Sequence, residues 1–357
     1  MTGHDRKPAR RSTMKDVARA AGVSSTTVSF VLNDVAGVSI SSETRARVLA
    51  TVQDLNYRPN AAAAVLRTNR SHSIGFITDF IASSPFAGDI IDSAQRAAWK
   101  RGQLLTIINT GNDDVVTEAA INMLVERRVD GIIYSSLAHR RYQPPDILRE
   151  VPSVLLNCAA PDQSYPSVVP NEVQGGYQAT EALLARGHRC IAFLNMNIDP
   201  EEPPAKGRLI GYRTALAAYQ VPFDPALVFA RGADIEDGYQ ATRTLLGSGL
   251  TPTGIFCGTD RMAMGAYYAT AEYGLSVPHD VSIVGFDDQQ LIAANLHPPL
   301  STVALPFAAL GRWAVEYLNA PTDDVTAPTQ CVLPCRFVGR ASIDAPHPDR
   351  MHTRRAT

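Results

Sequence analysis

The sequence predicts an α/β core of parallel sheets, long enough for two lobes, preceded by a small all-α headpiece of helix-turn-helix type. Three observations predict it. Two short helical patterns flank a tight turn between Thr13 and Leu32, apolar strand-like runs alternate with helical stretches from Ser73 onward, and the charge changes sign between these regions.

In the headpiece, Val17, Ala18 and Ala21 recur at helical spacing, and Thr13 with Asp16 has the form of a capping box, so helix one starts there. Gly22 tolerates positive φ and lets the chain reverse before Ser24 caps a second helix, whose buried side is Val28, Val31 and Leu32. Ser25, Thr26, Ser29 and Phe30 are left outward near the start of helix two, the end that such motifs push into the major groove of DNA. Short hydroxyls there bond base edges or phosphates, and a helix N-terminus favours anions. In an ordinary packing unit the same residues would be plain caps. A third helix runs from Ser42 to Leu55, capped by Ser41, with Val48, Val52 and Leu55 as its apolar stripe. YRPN at 57–60 stops the chain at a proline, and the alanine-rich run 61–66 has helical propensity with little to bury, which suits a conditional hinge.

Charge separates this front end from the rest. Residues 1–72 hold 11 Lys/Arg against 5 Asp/Glu, a net of +6, which leaves 22 against 30, a net of −8, for residues 73–357. A basic end on an acidic body suits binding a polyanion with that end alone. Residues 1–12, with Arg6, Lys7, Arg10 and Arg11, read as a disordered basic tail.

The core strands are expected at SIGFIT, LLTIIN, VDGIIY, SVLLN, CIAFLN, TGIFC and VSIVGF, near-continuous apolar runs that imply burial on both faces. In parallel sheets ligands sit at the carboxyl ends of strands, where Asp79, Asn157, Thr259, Asp260, Asp287 and Asp288 fall. The five cysteines are scattered, and Cys331 and Cys335, four apart in an apparent strand, lack the partners a zinc site needs. No 18-residue apolar run and no signal-peptide core appear, so a cytoplasmic protein is expected.

Taken together, MKDVARAAGVSSTTVSFVLN, YRPNAAAAVLR, RVDGII, ARGHRCIAFL, GRLIGYRTAL, TDRMAMGAYYA, SVPHDVSIVGFDD and PPLSTVALPFAALGRWAVEYL stand in the order of the motifs of the lac repressor (LacI/GalR) family of bacterial transcription regulators, which the chain resembles over nearly its whole length. The resemblance implies a homodimer with a two-lobed core like a periplasmic sugar-binding protein. It implies a headpiece at 13–57, a hinge and linker at 58–72, and a core at 73–343. The N-lobe would take 73–170 and 303–325 and the C-lobe 171–302 and 326–343, with a disordered tail at 344–357. That tail has prolines and no leucine heptads, so nothing beyond a dimer is expected.

Carried over residue by residue, base-reading positions fall on Ser25, Thr26 and Phe30, and DNA contacts further on Lys15, Ser24, Thr27, Ser29 and Asn33. Asn60, Ala63 and Leu66 match the minor-groove hinge, Leu66 as the wedge that unstacks a central base step. Phe30 departs from the pattern, since many relatives carry Arg there to grip guanine, whereas a phenyl ring makes apolar contact such as with a thymine methyl. The effector positions fall on Asp79, Phe86, Asn157, Arg208, Thr259 and Asp287, a set suited to a polyhydroxylated ligand. Thr259 replaces a common asparagine, and Ala233 a common aromatic. The acidic loop Glu201, Glu202, Pro203, Pro204 favours a neutral or amine-bearing ligand over an acidic one. The implied function is an allosterically controlled transcriptional regulator, a repressor of a near-palindromic operator, with a sugar or sugar derivative as effector. A nucleobase or other metabolite is the alternative effector, and a sugar- or nucleotide-processing enzyme the alternative class. G-x-G-x-x-G, P-loop and G-x-S-x-G motifs are missing from the sequence, so no catalysis, cofactor or metal is expected.

Overall fold

The three headpiece helices form where the sequence places their caps. The computed structural model describes residues 12–34, 37–58, 70–84, 87–196, 202–320 and 330–348, and the chain divides into two units, residues 1–71 and 72–357. In the first unit α1 spans Met14–Ala21, α2 Ser25–Leu32 and α3 Ser42–Asp54. The Thr13 hydroxyl accepts from the Asp16 N–H, while Asp16 accepts from the Thr13 N–H at 2.9 Å. Gly22 turns the chain at φ 66°, and the Ser24 and Ser41 hydroxyls accept from the N–H groups of Thr27 and Thr44. Val17, Ala18, Ala21, Val28, Val31 and Val48 make the core, and Tyr57, expected only as part of a stop signal, closes it. Ser12, expected to be the end of a disordered tail, donates to the Leu55 carbonyl at 3.0 Å. Residues 1–11 and 59–69 lie outside the described residues, and so do most of the tail and hinge expectations.

The second unit runs β1 (Ser73–Thr78), α4 (Gly88–Trp99), β2 (Leu104–Asn109), α5 (Asp114–Glu126), β3 (Gly131–Arg141), β4 (Ser153–Ala159) and β5 (Ser167–Pro170). It continues through α6 (Glu172–Leu184), β6 (Ile191–Met196), α7 (Pro203–Ala218), β7 (Val228–Arg231), α8 (Ile235–Gly247), β8 (Gly254–Cys257), α9 (Asp260–Glu272) and β9 (Ser282–Asp287). It ends with β10 (Ser301–Ala304), α10 (Phe307–Leu318), β11 (Gln330–Leu333) and β12 (Arg336–Val338). Two six-stranded sheets result, ordered β11-β5-β4-β3-β1-β2 and β12-β10-β9-β8-β6-β7. Every pairing is parallel except β10 with β12. Helices cover the sheets, and an apolar cluster fills each helix–sheet layer, as alternating strands and helices require.

The chain passes between the sheets three times, at β5 to α6, β10 to α10 and β11 to β12. The lobe boundaries expected for the C-terminal part are corrected here. β11 pairs with β5, placing residues 330–333 in the first sheet, and β10 keeps residues 303–304 in the second. Cys331 and Cys335 therefore do not share a strand; the third crossing separates them.

Two further expectations fail for topological reasons. LLTIIN is a strand, but as β2 it lies at the sheet edge beside β1 alone, and Leu104 and Ile107 are 54% and 41% exposed. The tail is ordered as far as it is described: His188 Nε2 lies 2.8 Å from the Asp344 carbonyl, and Asp344 N–H donates to Ser282. Among the described residues no helix is long and apolar enough to cross a membrane.

Candidate functional site

On the headpiece, Lys15, Thr26 and Asn33 are exposed and Ser25, Thr27, Ser29 and Phe30 half-buried, so the leading turns of α2 face outward as expected. Ser24 caps Thr27 and also meets its hydroxyl at 2.9 Å. Asn33 donates to the Ser29 carbonyl at 2.6 Å, closing the far end of the helix. Because α2 carries no charged residue in its first or last turn, its surface offers hydroxyls, one amide and the helix N-terminus rather than an ionic grip. Asn60, Ala63 and Leu66 lie outside the described residues.

In the second unit the carboxyl ends of β9, β10 and β11 line a cleft of about 370 Å³, bounded by Asp89, Asp287, Asp288, Pro306, Pro334 and Arg336. Residues of the second and third crossings line it, so its walls belong to both lobes. Phe86 lies outside the described residues.

The first sheet's rim is organised around a break in β3. Its register against β4 shifts between Ser135 and Arg140, which pushes residues 136–139 out as a bulge. Asp79, at the end of β1, holds that bulge: its carboxylate accepts from the Leu137 N–H at 2.9 Å, the Ser136 hydroxyl at 2.8 Å and the Phe80 N–H at 2.5 Å. Asn157 holds it from β4, donating to the carbonyls of Ser136 and Leu137 at 3.0 and 2.9 Å, while its own carbonyl oxygen is buried without a partner. Arg140 bonds Asn112 at 2.6 Å and Tyr134 at 3.1 Å, and stands 3.9 Å from Asp79. Two expected effector residues are thus fastened to backbone, and what they support is the bulge carrying His139.

The second sheet's rim is ionic. Arg208 on α7 is buried, donates from Nε to Glu172 at 2.8 Å and from Nη1 to the Gly258 carbonyl, and has Nη2 3.7 Å from Asp287. Its guanidinium lies 3.6 Å above the Phe286 ring, a cation–π contact that fixes its plane. Glu172 opens α6, and His139 Nδ1 from the bulge stands 3.5 Å from its other oxygen. A Cβ at Gly207 would sit 2.6 Å from the Glu172 Cβ, so glycine there is what lets α6 and α7 approach closely enough for this pairing.

These charges set one another's ionisation. Burial opposes the Glu172 charge, but Arg208 and the adjacent His139 outweigh it and hold its pKa below the usual carboxylate value. Burial also opposes the Arg208 charge, and Glu172 and Asp287 outweigh it in turn. Asp287 goes the other way: burial lifts it to about 6, against the pull of Arg208. Asp260 is raised well above its usual value by burial and the Asp287 charge, despite hydrogen bonds from Thr302 at 2.6 Å and the Gln289 N–H at 2.6 Å. Asp288 turns away to Arg340 at 2.6 Å, so the adjacent pair of carboxylates faces in two directions. Thr259 is the cap of α9, accepting from the Met262 N–H and donating to the Ala233 carbonyl.

Of the expected effector residues, Arg208 and Asp287 are brought together, while Asp79, Asn157 and Thr259 are engaged by backbone. Sequence reasoning missed Glu172 and His139. The only signal for Glu172 was an acidic residue at a helix start, which the helix dipole favours in any protein.

Comparison with known proteins shows the family. The model of "Bacterial regulatory proteins, lacI family" matches residues 13–60, and that of "Periplasmic binding protein-like domain" residues 180–343. The chain is 34% identical over 307 residues to the ribose operon repressor of Haemophilus influenzae, covering 86% of this chain and 91% of that one. Among solved structures, the lac repressor dimer bound to operator and the anti-inducer ONPF is 28% identical with a TM-score of 0.78, covering 94% of this chain and 100% of that one. A LacI family transcriptional regulator from Enterococcus faecium with bound ribose is 27% identical with a TM-score of 0.62, covering 76% of this chain and 99% of that one. The chain therefore belongs to the LacI family of bacterial regulatory proteins, which are DNA-binding transcriptional regulators.

Proposed function

We propose that this protein represses transcription as a homodimer, binding a near-palindromic operator through the two headpieces, and that a sugar-like effector in the interlobe cleft changes its affinity for DNA. The observation that carries the effector reading is the pairing of buried Arg208 on α7 with half-buried Asp287 at the end of β9. Its Nη2 and carboxylate oxygen, 3.7 Å apart, offer a donor and an acceptor to one ligand hydroxyl. The similarity to a ribose operon repressor and to a ribose-bound family member supports the same ligand class. The protein acts by binding rather than catalysis, in the cytoplasm where the operator is.

Dimerisation is supported by the apolar surface left on the first lobe, where Leu104 and Ile107 of edge strand β2 and Val115, Val116 and Met123 of α5 are exposed. The effector shifts operator affinity by the coupling free energy between the two sites, typically about 1–3 kcal/mol. Phe30 gives the half-site a preference for thymine where Arg-bearing relatives read guanine.

Salt-dependent binding of the purified protein to its own upstream DNA and to a scrambled control, repeated with mono- and disaccharides, tests the reading. Specific binding altered by one sugar is the expected result. Binding without sequence preference refutes the operator role, and specific binding unmoved by any sugar refutes the sugar effector. Selection from random DNA that returns an invariant guanine opposite Phe30 refutes the thymine preference.

A further inference from the structure

Glu172 meets the effector arginine from behind. Resting on the reading of this cleft as the effector site, we propose that Glu172 is a specificity-determining residue that restricts the effector to uncharged, hydroxyl-rich molecules and excludes phosphorylated or carboxylated ones. An arginine in a ligand cleft ordinarily serves as a planar fork for a carboxylate or phosphate, because its parallel N–H groups match two oxygens at once. Here the fork is taken. Nε donates to Glu172 at 2.8 Å, Nη1 to the Gly258 carbonyl, and one face of the guanidinium is stacked 3.6 Å above Phe286. What remains is Nη2, 3.7 Å from Asp287, which lines the cleft.

The other charges around the cleft lead to the same conclusion. Asp288 in the wall is paired with Arg340 at 2.6 Å, and Asp89 adds a further carboxylate to the wall. Arg336 lines the outer rim but is exposed, where water screens its charge. An incoming anion therefore meets one neutralised buried cation and several carboxylates, whereas a hydroxyl is served by Nη2 and Asp287 together. The Glu172–Arg208 pair gives little net stability, because desolvating both charges offsets their attraction. Its main consequence is the electrostatic field presented to the ligand.

Inorganic phosphate is a probe that needs no knowledge of the natural effector. The melting temperature of the full chain is measured in phosphate and in chloride at matched ionic strength, for the wild type, E172Q, R208Q and E172Q/R208Q. Each readout is the difference between a protein and its R208Q counterpart, which removes phosphate effects on the headpiece. The wild type is expected to show no difference, and E172Q a saturable phosphate-dependent rise of about 2–4 °C that E172Q/R208Q lacks. A wild-type rise lost in R208Q overturns the proposal without recourse to E172Q. A folded E172Q with no gain overturns it too. If E172Q does not fold, the wild-type comparison decides alone. Failure of the sugar reading appears separately, as neutral sugars leaving operator affinity unchanged.

Discussion

The rims of the two sheets, at the carboxyl ends of their strands, are built from similar polar residues put to different uses. On the first sheet, Asp79 and Asn157 turn towards the backbone and hold residues 136–139 out of register, every contact being a hydrogen bond to a neutral group except the distant Arg140. On the second, Arg208, Glu172 and Asp287 face one another as charges with almost no water. A carboxylate that accepts backbone N–H groups fixes geometry, whereas one that faces a buried guanidinium fixes potential. The first rim is thus a scaffold and the second a charge-selective surface, joined where the bulge places His139 beside Glu172.

Arg208 is where the ionic character of the second rim is most exposed to mutation. Arg208→Met leaves Glu172 and Asp287 buried without their cation, and chemical denaturation should show a loss of about 3–5 kcal/mol. A loss under about 1 kcal/mol would mean that water relieves those carboxylates and that the second rim is no more ionic than the first. Next in size, Asp79→Ala removes the acceptor of two backbone N–H groups and the Ser136 hydroxyl. It should cost about 2–3 kcal/mol and speed hydrogen exchange within 136–139 while leaving that of α7 unchanged. Equal acceleration in both segments would show that the rims unfold as one.

A proton gives a smaller test that touches the second rim alone. Asp287 is held to about 6 against an ordinary 3.8, so the folded chain takes up this proton before the unfolded chain does. Its contribution to stability is therefore greatest below pH 4 and falls as the pH rises to about 6. Ligand binding responds in the opposite sense, because protonation removes the acceptor for a ligand hydroxyl. A neutral sugar identified as effector should bind about tenfold more weakly at roughly pH 5 than at pH 7.5, and Asp287→Asn should flatten that profile. Asp260 and Glu172 interact with the same carboxylate, so a dependence surviving in Asp287→Asn would assign the proton to one of those two. The smallest effect is expected from Ser136→Ala, which removes one hydroxyl donated to Asp79 and should cost about 0.5–1.5 kcal/mol.

Much of the fold was legible because it is written over short stretches. The capping box of Thr13 and Asp16, the left-handed Gly22 and the caps at Ser24 and Ser41 each join residues a few positions apart. The apolar runs gave the strands for the same reason, a run being local. Errors arose where position in the sheet mattered: β2 is as apolar as its neighbours but lies at an edge, and 330–333 joins the first sheet because the chain crosses back later than expected. Asp344 looked like tail residue and is held by His188, far earlier in the chain.

The sequence by itself determined the family, the α-helical headpiece, the strand–helix alternation and the residue types at the strand ends, since each is carried by motifs or periodicity within a few turns of chain. Tertiary structure decided what those strand-end residues do. Whether Asp79 meets a ligand or a bulge depends on a register shift between β3 and β4, and whether Arg208 is a free fork or a neutralised one depends on Glu172, 36 residues away on another helix. Hydrogen bonds and Coulomb attraction act over a few ångströms, and sheet order and helix packing choose which distant residues come that close.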